Sequence, residues 1–217
     1  MKYLSLLGLA LALVFASAVQ SNAQWFLDFE WGLGNDAGVI ASGIPGLQFT
    51  NTAGYDWVYG DATTGNYNVS NNLGDSWGSG NWNMEGYVFA WLGVAQGMGR
   101  IDFLSKDGSY FTTGYNSYYD FYVEAYDEFD NLIDSQVGAP NTQAQGNYQL
   151  DYLTVASASP NIAYVLLHDS GNFWLADNMS GDASDVYRPG VIPEPSTLIL
   201  LGTGLLGLGV FRFRRKK

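Results

Sequence analysis

The sequence predicts an all-β fold, an antiparallel β-sandwich or jelly roll, for the segment from Gln24 to Gly190. Short runs of alternating apolar and polar residues recur along this segment, and clusters of Gly, Asn, Asp and Ser separate them. Long helical periodicities are few. This spacing of short strands and turns is typical of two-layered β domains. The segment is long enough for one domain with its own core.

The individual elements follow from the same patterns. The first predicted strand covers 25–31, with four apolar residues on one face and Asp28 and Glu30 on the other. Further strands are predicted at 85–94, 100–105, 118–126, 148–155, 162–168 and 172–176. Turn signals lie at 107–108, 130–131, 170–171 and 180–181.

The segment 66–83 is dense in Asn, Gly and Ser and contains Trp77 and Trp82. This composition predicts a long surface loop. Low complexity is also typical of disorder, but two tryptophans indicate that part of the loop packs against the domain or contacts a ligand.

The N-terminal residues 1–23 have the pattern of a secretory signal peptide. Lys2 precedes an apolar stretch at 4–15, and small residues lead to a cleavage site ending at Ala23. A second site ends at Ala18, so the mature start is uncertain by about five residues. The pattern predicts export.

The C-terminal segment 191–217 contains an apolar run at 197–211. Fifteen residues at 1.5 Å per residue span about 22 Å, which fits a buried core helix as well as a short membrane span. Five basic residues follow at once and favour a single transmembrane helix with a cytoplasmic tail and the body outside. These residues are Arg212, Arg214, Arg215, Lys216 and Lys217.

The segment 191–217 resembles the PEP-CTERM sorting signal of Gram-negative bacteria. The resemblance rests on Pro193, Glu194 and Pro195, followed by the apolar run and the basic cluster. It implies recognition by an exosortase, an integral-membrane transpeptidase that removes the tail. The two prolines keep Glu194 out of the helix and leave the backbone accessible to such an enzyme. The alternative is a plain single-span anchor.

The segment 24–190 is strongly acidic. It holds 20 of the 21 acidic residues and three of the nine basic ones, which gives a formal charge of −17. Such a field repels nucleic acid and anionic lipid and attracts cations, including Ca²⁺. The chain has no cysteine, so cysteine nucleophiles and thiolate metal sites are excluded.

Enzyme chemistry has little support in these residues, and we expect no catalytic site. His168 is the only histidine, and no G-x-S-x-G motif accompanies it, so it is read as an ordinary residue at a strand end. Acidic pairs for a secreted glycan hydrolase are numerous, but their abundance makes them uninformative.

Two kinds of binding site are hypotheses. Asp28, Glu30 and Asp177 are oxygen donors on early and late strands, where a jelly roll can hold a structural calcium ion; the alternative is solvated charge on a strand face. Tyr122 and Tyr126 flank Glu124 on the polar face of one strand and would form a platform for carbohydrate. The alternative is that these tyrosines simply cover the sheet.

The body also resembles, loosely, the jelly-roll exported domains found upstream of this sorting signal, through 46–49, 123–127 with 131–132, and 174–178. The resulting hypothesis is an exported, non-enzymatic protein of the surface or extracellular matrix, including biofilm matrix. It would pass through an inner-membrane intermediate with a periplasmic body. A carbohydrate-binding module for exopolysaccharide is the alternative, and fold resemblance alone supplies no activity.

Overall fold

The computed structural model describes residues 24–40, 44–93, 97–146 and 148–186. Within these ranges the chain forms strands and three single-turn 3-10 helices, with no α-helix. The strands are β1 (Trp25–Leu27), β2 (Leu47–Asn51), β3 (Val58–Asp61), β4 (Val69–Asn71), β5 (Trp82–Met84), β6 (Val88–Trp91), β7 (Gly99–Phe103), β8 (Tyr110–Ser117), β9 (Phe121–Tyr126), β10 (Leu132–Gly138), β11 (Asp151–Ala156), β12 (Tyr164–Asp169) and β13 (Trp174–Gly181).

Two antiparallel sheets make up most of the body. The first, sheet A, has the order β11-β8-β13-β6-β3, with β1 paired to the end of β13. The second, sheet B, has the order β10-β9-β12-β7-β2. Consecutive strands such as β7, β8 and β9 alternate between the sheets, so each sheet is assembled from distant parts of the chain. The predicted all-β, antiparallel architecture is confirmed.

One core joins the inner faces of the two sheets, an arrangement that fits a sandwich. Phe121 of sheet B stacks on Tyr115 of sheet A with ring centroids 4.8 Å apart, and it also contacts Trp174 of sheet A at 5.2 Å. Near the other end, Phe103 of sheet B contacts Trp25 of sheet A at 6.0 Å. Large aromatic rings therefore supply much of the apolar area that the fold buries.

A second, smaller core lies outside this one. It joins Phe89 and Leu175 of sheet A to Val69 and Met84, and half-buried Tyr67, Trp77, Trp82 and Trp91 pack against it. The strands β4 and β5, which form a parallel pair, carry three of these residues, Val69, Trp82 and Met84. The segment 66–83 is mostly exposed loop, as predicted, but β4 and the first two residues of β5 lie within it. The expectation that its tryptophans pack is confirmed.

The first predicted strand is too long. Strand β1 ends at Leu27, Phe29 adopts a left-handed φ of 57°, and a 3-10 helix covers Glu30–Gly32. Phe29 is still fully buried, but Trp31 is 45% exposed. The alternating pattern predicted a strand through residue 31, but the left-handed Phe29 and the helical turn after it break the period of two.

Other differences concern strand position. The strands β2, β3, β4, β5, β8 and β10 were not predicted, and the turn expected at 180–181 lies inside β13. The predicted signal peptide, sorting segment and transmembrane helix lie outside the described residues. Among the helices that the structure describes, none is long and apolar enough to cross a membrane.

Candidate functional site

The predicted carbohydrate platform lies on the outer face of sheet B. Tyr122, Glu124 and Tyr126 of β9 are partly exposed, whereas the alternate residues of the strand are fully buried. The alternation predicted for this strand is therefore confirmed. The hydroxyl of Tyr126 donates a hydrogen bond of 2.8 Å to Oε2 of Glu124.

The two tyrosine rings of this platform each stack on a residue of the neighbouring strand β12. Tyr126 stacks on Tyr164 with centroids 4.9 Å apart and planes 6° apart. Tyr122 stacks on His168 at 5.1 Å and 10°. One face of each tyrosine is therefore covered by protein, which leaves less ring surface for a sugar. Binding of carbohydrate at this platform stays a prediction.

The row of stacked rings continues to Arg100 of β7. Its guanidinium carbon lies 3.6 Å from the centroid of the Tyr164 ring, and its nitrogens bond both carboxylate oxygens of Asp102 at 2.6–3.0 Å. Lys106 pairs with Glu128 at 3.3 Å beside it. Both cations border a cavity of about 250 Å³. Each of these two cations is already paired with a carboxylate, so neither is a free positive charge for an anion in this cavity.

The predicted calcium donors belong to a region where carboxylates accept backbone hydrogen bonds. Asp177 is fully buried and accepts from the amides of Glu85 at 3.0 Å and Asn178 at 2.7 Å. Glu30 accepts from the amides at 87 and 88 at 2.8 and 3.0 Å. Within the described ranges no three acidic or histidine side chains form a metal-binding group. Calcium binding by Asp28, Glu30 and Asp177 stays a prediction.

Burial gives Asp177 unusual electrostatics. The loss of solvent raises the pKa of its carboxyl well above the usual value, and the nearby charges of Glu30 and Glu85 raise it further. The two backbone amides act in the opposite direction and are outweighed. The native state therefore holds a proton at Asp177 at pH values where the unfolded chain has lost it.

This proton makes stability depend on pH. We expect the free energy of unfolding to fall as pH rises from about 4 through the native pKa of Asp177, because the native state binds more protons than the unfolded state in that window. Asp177→Asn cannot titrate, so its stability relative to the natural protein should increase over the same window. Urea unfolding at a series of pH values checks this. Parallel curves for the two proteins would contradict it.

An aromatic cleft of about 250 Å³ lies on the other side of the molecule, where the segment 66–83 covers the outer face of sheet A. Six aromatic residues line it: Tyr67, Trp82, Phe89, Trp91, Phe173 and Trp174. Three asparagines, Asn66, Asn68 and Asn172, are also at its walls. Of the described residues that line this cleft, none is charged. It combines flat apolar surfaces with neutral amide groups.

The geometry of the cleft is fixed by edge-to-face ring contacts. Tyr67 meets Phe89 at 5.1 Å and Trp91 at 5.6 Å, with interplanar angles of 81° and 89°. Its hydroxyl donates to Asp36 at 2.5 Å. Burial raises the pKa of Tyr67, and the bond to Asp36 raises it further. Tyr67 therefore stays a neutral donor with its ring held in one orientation.

Sequence patterns did not predict this cleft. Its walls come from residues 66–69, 82, 89, 91 and 172–175, which only the folded sheet brings together. The two tryptophans within 66–83 were the available signal. Trp82 lines the cleft, whereas Trp77 packs against Tyr87 at 6.1 Å.

Comparison with known families bears on the C-terminal segment. Residues 191–216 match the model of the PEP-CTERM protein-sorting motif. The chain carries a PEP-CTERM sorting signal. The match includes Pro193, Glu194 and Pro195 and four of the five basic residues, ending one residue before Lys217. The predicted sorting signal is therefore confirmed, and a PEP-CTERM motif implies an exported protein that an exosortase processes.

Comparisons of the body ahead of the PEP-CTERM signal give only weak similarity. A DUF4465 family protein from Bacteroides caccae is 14% identical, with a TM-score of 0.40, over 73% of this chain and 98% of that chain. A cleaved adhesin domain of Lys-gingipain from Porphyromonas gingivalis is 14% identical, with a TM-score of 0.35, over the same shares of the two chains. No curated protein sequence matches the chain.

Proposed function

We propose that this protein is an exported, non-enzymatic component of the cell surface or extracellular matrix, released from its membrane tail by an exosortase. The observation that carries the proposal is the PEP-CTERM signal at 191–216 behind an all-β body. During transit the body is periplasmic and the tail holds the chain in the inner membrane. The mature protein then lies at the surface or outside the cell.

The use of acidic residues in the body supports a structural role. Several buried or half-buried aspartates accept hydrogen bonds from backbone amides of loops. Asp61 accepts from Gly34 at 2.7 Å and from Thr63 at 2.9 Å. Asp182 accepts from the amides at 109 and 110 at 2.7 and 3.2 Å. These acidic side chains therefore hold loops in place through hydrogen bonds. The chain has no cysteine, so disulfides cannot serve this purpose.

The test of this proposal is a change within the sorting signal. Replacing Pro193, Glu194 and Pro195 together with alanine should leave export intact and block removal of the tail, because the proposed recognition element is gone. The measurement is the intact mass of the protein from the membrane fraction and the medium of its native cells. The natural protein should lack the tail, and the variant should keep Lys217 in the membrane fraction.

A matched control replaces Tyr187, Arg188 and Pro189 with alanine, three residues that precede the matched segment and are separated from it by Gly190. This control should be processed like the natural protein. Loss of the tail from both the Pro-Glu-Pro variant and the natural protein would refute recognition at Pro193–Pro195. Retention of Lys217 in both would refute the exosortase part of the proposal and leave a plain single-span anchor.

A further inference from the structure

We propose that the aromatic cleft and the exposed aromatic residues beside it form a binding groove for a neutral linear polysaccharide. This goes beyond export and sorting, which name no ligand. It also places carbohydrate on the side of sheet A and not on the platform of sheet B.

The chemistry of the cleft walls fits a sugar ring. The axial C–H groups of a pyranose pack on flat aromatic faces, and side-chain amides can pair with neighbouring hydroxyls as donor and acceptor at once. Asn66 and Asn68 are exposed on one wall, and Asn172 is half-buried on the other. A volume of about 250 Å³ holds one or two sugar units and no long polymer.

Further aromatic rings continue from the cleft along one end of the molecule. Phe173, which lines the cleft, is 57% exposed and lies 6.4 Å from the ring of Tyr119. Tyr119 contacts Tyr118 at 5.6 Å, and these two are 41% and 48% exposed. Exposed aromatic residues in a continuous series mark a binding surface more often than scattered ones do. Successive rings give successive units of a linear chain a place to stack.

The loops that carry these rings are held rigidly, which reduces the entropy lost on binding. Asp169 accepts hydrogen bonds from the amides of Gly171 and Phe173 and orders the turn before the cleft. A Cβ at Gly171 would lie 2.3 Å from the ring of Tyr119, so only glycine allows the two loops to approach this closely. The groove is therefore built before a ligand arrives.

Charge selects between neutral and anionic polymers. The walls carry no cation among the residues described for the cleft, and Asp36 and Asp169 lie directly behind Tyr67 and Asn172. An acidic polysaccharide would meet uncompensated negative charge on a body whose net charge is −17 over 24–190. A neutral polymer avoids this cost.

The test is a titration of the full chain, kept soluble in a detergent without a sugar headgroup. Neutral hexasaccharides of β-1,4-linked glucose, mannose and N-acetylglucosamine are the probes, with an alginate hexasaccharide as the anionic comparison. We expect at least one neutral hexasaccharide to bind with quenching of tryptophan fluorescence, and alginate not to bind. Absence of binding by all three neutral probes, or preference for alginate, would overturn the proposal.

Two matched variants locate the site. Phe173→Ala should weaken binding about three- to tenfold by removing one stacking surface. Phe129→Ala, at a more exposed phenylalanine in the turn at the other end of β9, should leave affinity unchanged. Phe173→Trp should keep or improve affinity. Loss of binding in Tyr122→Ala with no effect of Phe173→Ala would place carbohydrate on sheet B and refute the groove.

This experiment is independent of the sorting proposal. Binding is measured on purified protein, so its failure leaves tail processing untouched. A failure of tail processing would likewise not affect the proposal that the groove binds polysaccharide.

Discussion

Replacing Trp57 with alanine should lower the free energy of unfolding by about 3–5 kcal/mol, the range seen when large aromatic side chains are removed from cores. Trp57 is fully buried just before β3. Its ring meets Phe49 of sheet B and Trp174 of sheet A edge-on, both at 5.4 Å. Its indole N–H donates to the carbonyl of Thr50 at 2.7 Å. The substitution leaves a cavity between the sheets and removes the indole donor from the carbonyl of Thr50.

Urea unfolding followed by tryptophan fluorescence measures this loss, with the midpoint and slope reported separately. Trp57→Phe keeps most of the apolar volume and loses the hydrogen bond, so it should cost less than half as much. Tyr55→Ala, two residues away and 56% exposed, should change stability by less than about 0.5 kcal/mol. A loss below about 1 kcal/mol for Trp57→Ala would mean that the two sheets do not pack on each other at this residue.

Simple alternation of apolar and polar residues made strand β9 predictable. Strand β9 alternates large apolar residues with polar ones, and the structure buries the first set and exposes the second. Strand β8 breaks the rule, because its second half, from Thr113 to Ser117, is buried throughout and contains Gly114 and Asn116. Such residues favour turns in isolation, and only partners from other segments make them suitable for a central strand.

The sorting signal was predictable because it works as a linear segment. Its prolines, apolar run and basic cluster are consecutive, so one sequence displays all of them. The aromatic cleft is the opposite case. Phe89 and Trp91 come from β6, Tyr67 and Trp82 from the covering segment, and Phe173 from the loop before β13. Nothing local distinguishes these rings from aromatic residues that fill a core.

The sequence correctly indicates a strongly acidic body, but it does not show which structural roles the individual carboxylates have. Sequence reasoning treated Asp28, Glu30 and Asp177 as strand-face carboxylates available to calcium or solvent. The structure shows that Glu30 and Asp177 accept backbone hydrogen bonds and that Asp177 is fully buried. Alternation with a period of two identifies the face of a strand on which a residue lies. It cannot show which loop amides approach that face.

The role of a buried asparagine, Asn141, likewise depends on partners that are distant in the sequence. Asn141, 2% exposed, lies beside the end of β8 and pairs with it as a strand residue would. Its backbone amide donates to the carbonyl of Ser117 at 3.0 Å, and its Oδ1 accepts from the amide of Ser117 at 2.7 Å. Its Nδ2 donates to the carbonyl of Tyr115 at 2.9 Å. The Nδ2 of Asn116 also reaches the carbonyl of Asn141 at 2.7 Å.

Asn141→Ala should therefore lower the free energy of unfolding by about 3 kcal/mol, because two buried backbone groups lose their partners at about 1–3 kcal/mol each. Asn141→Asp keeps the acceptor but loses the donor and buries a charge, so it should cost at least as much. Asn161→Ala, an exposed asparagine in a turn, is the matched control and should cost less than about 0.5 kcal/mol. Equal losses for Asn141→Ala and Asn161→Ala in urea unfolding would mean that water reaches Tyr115 and Ser117. The asparagine pairing would then contribute nothing to the end of β8.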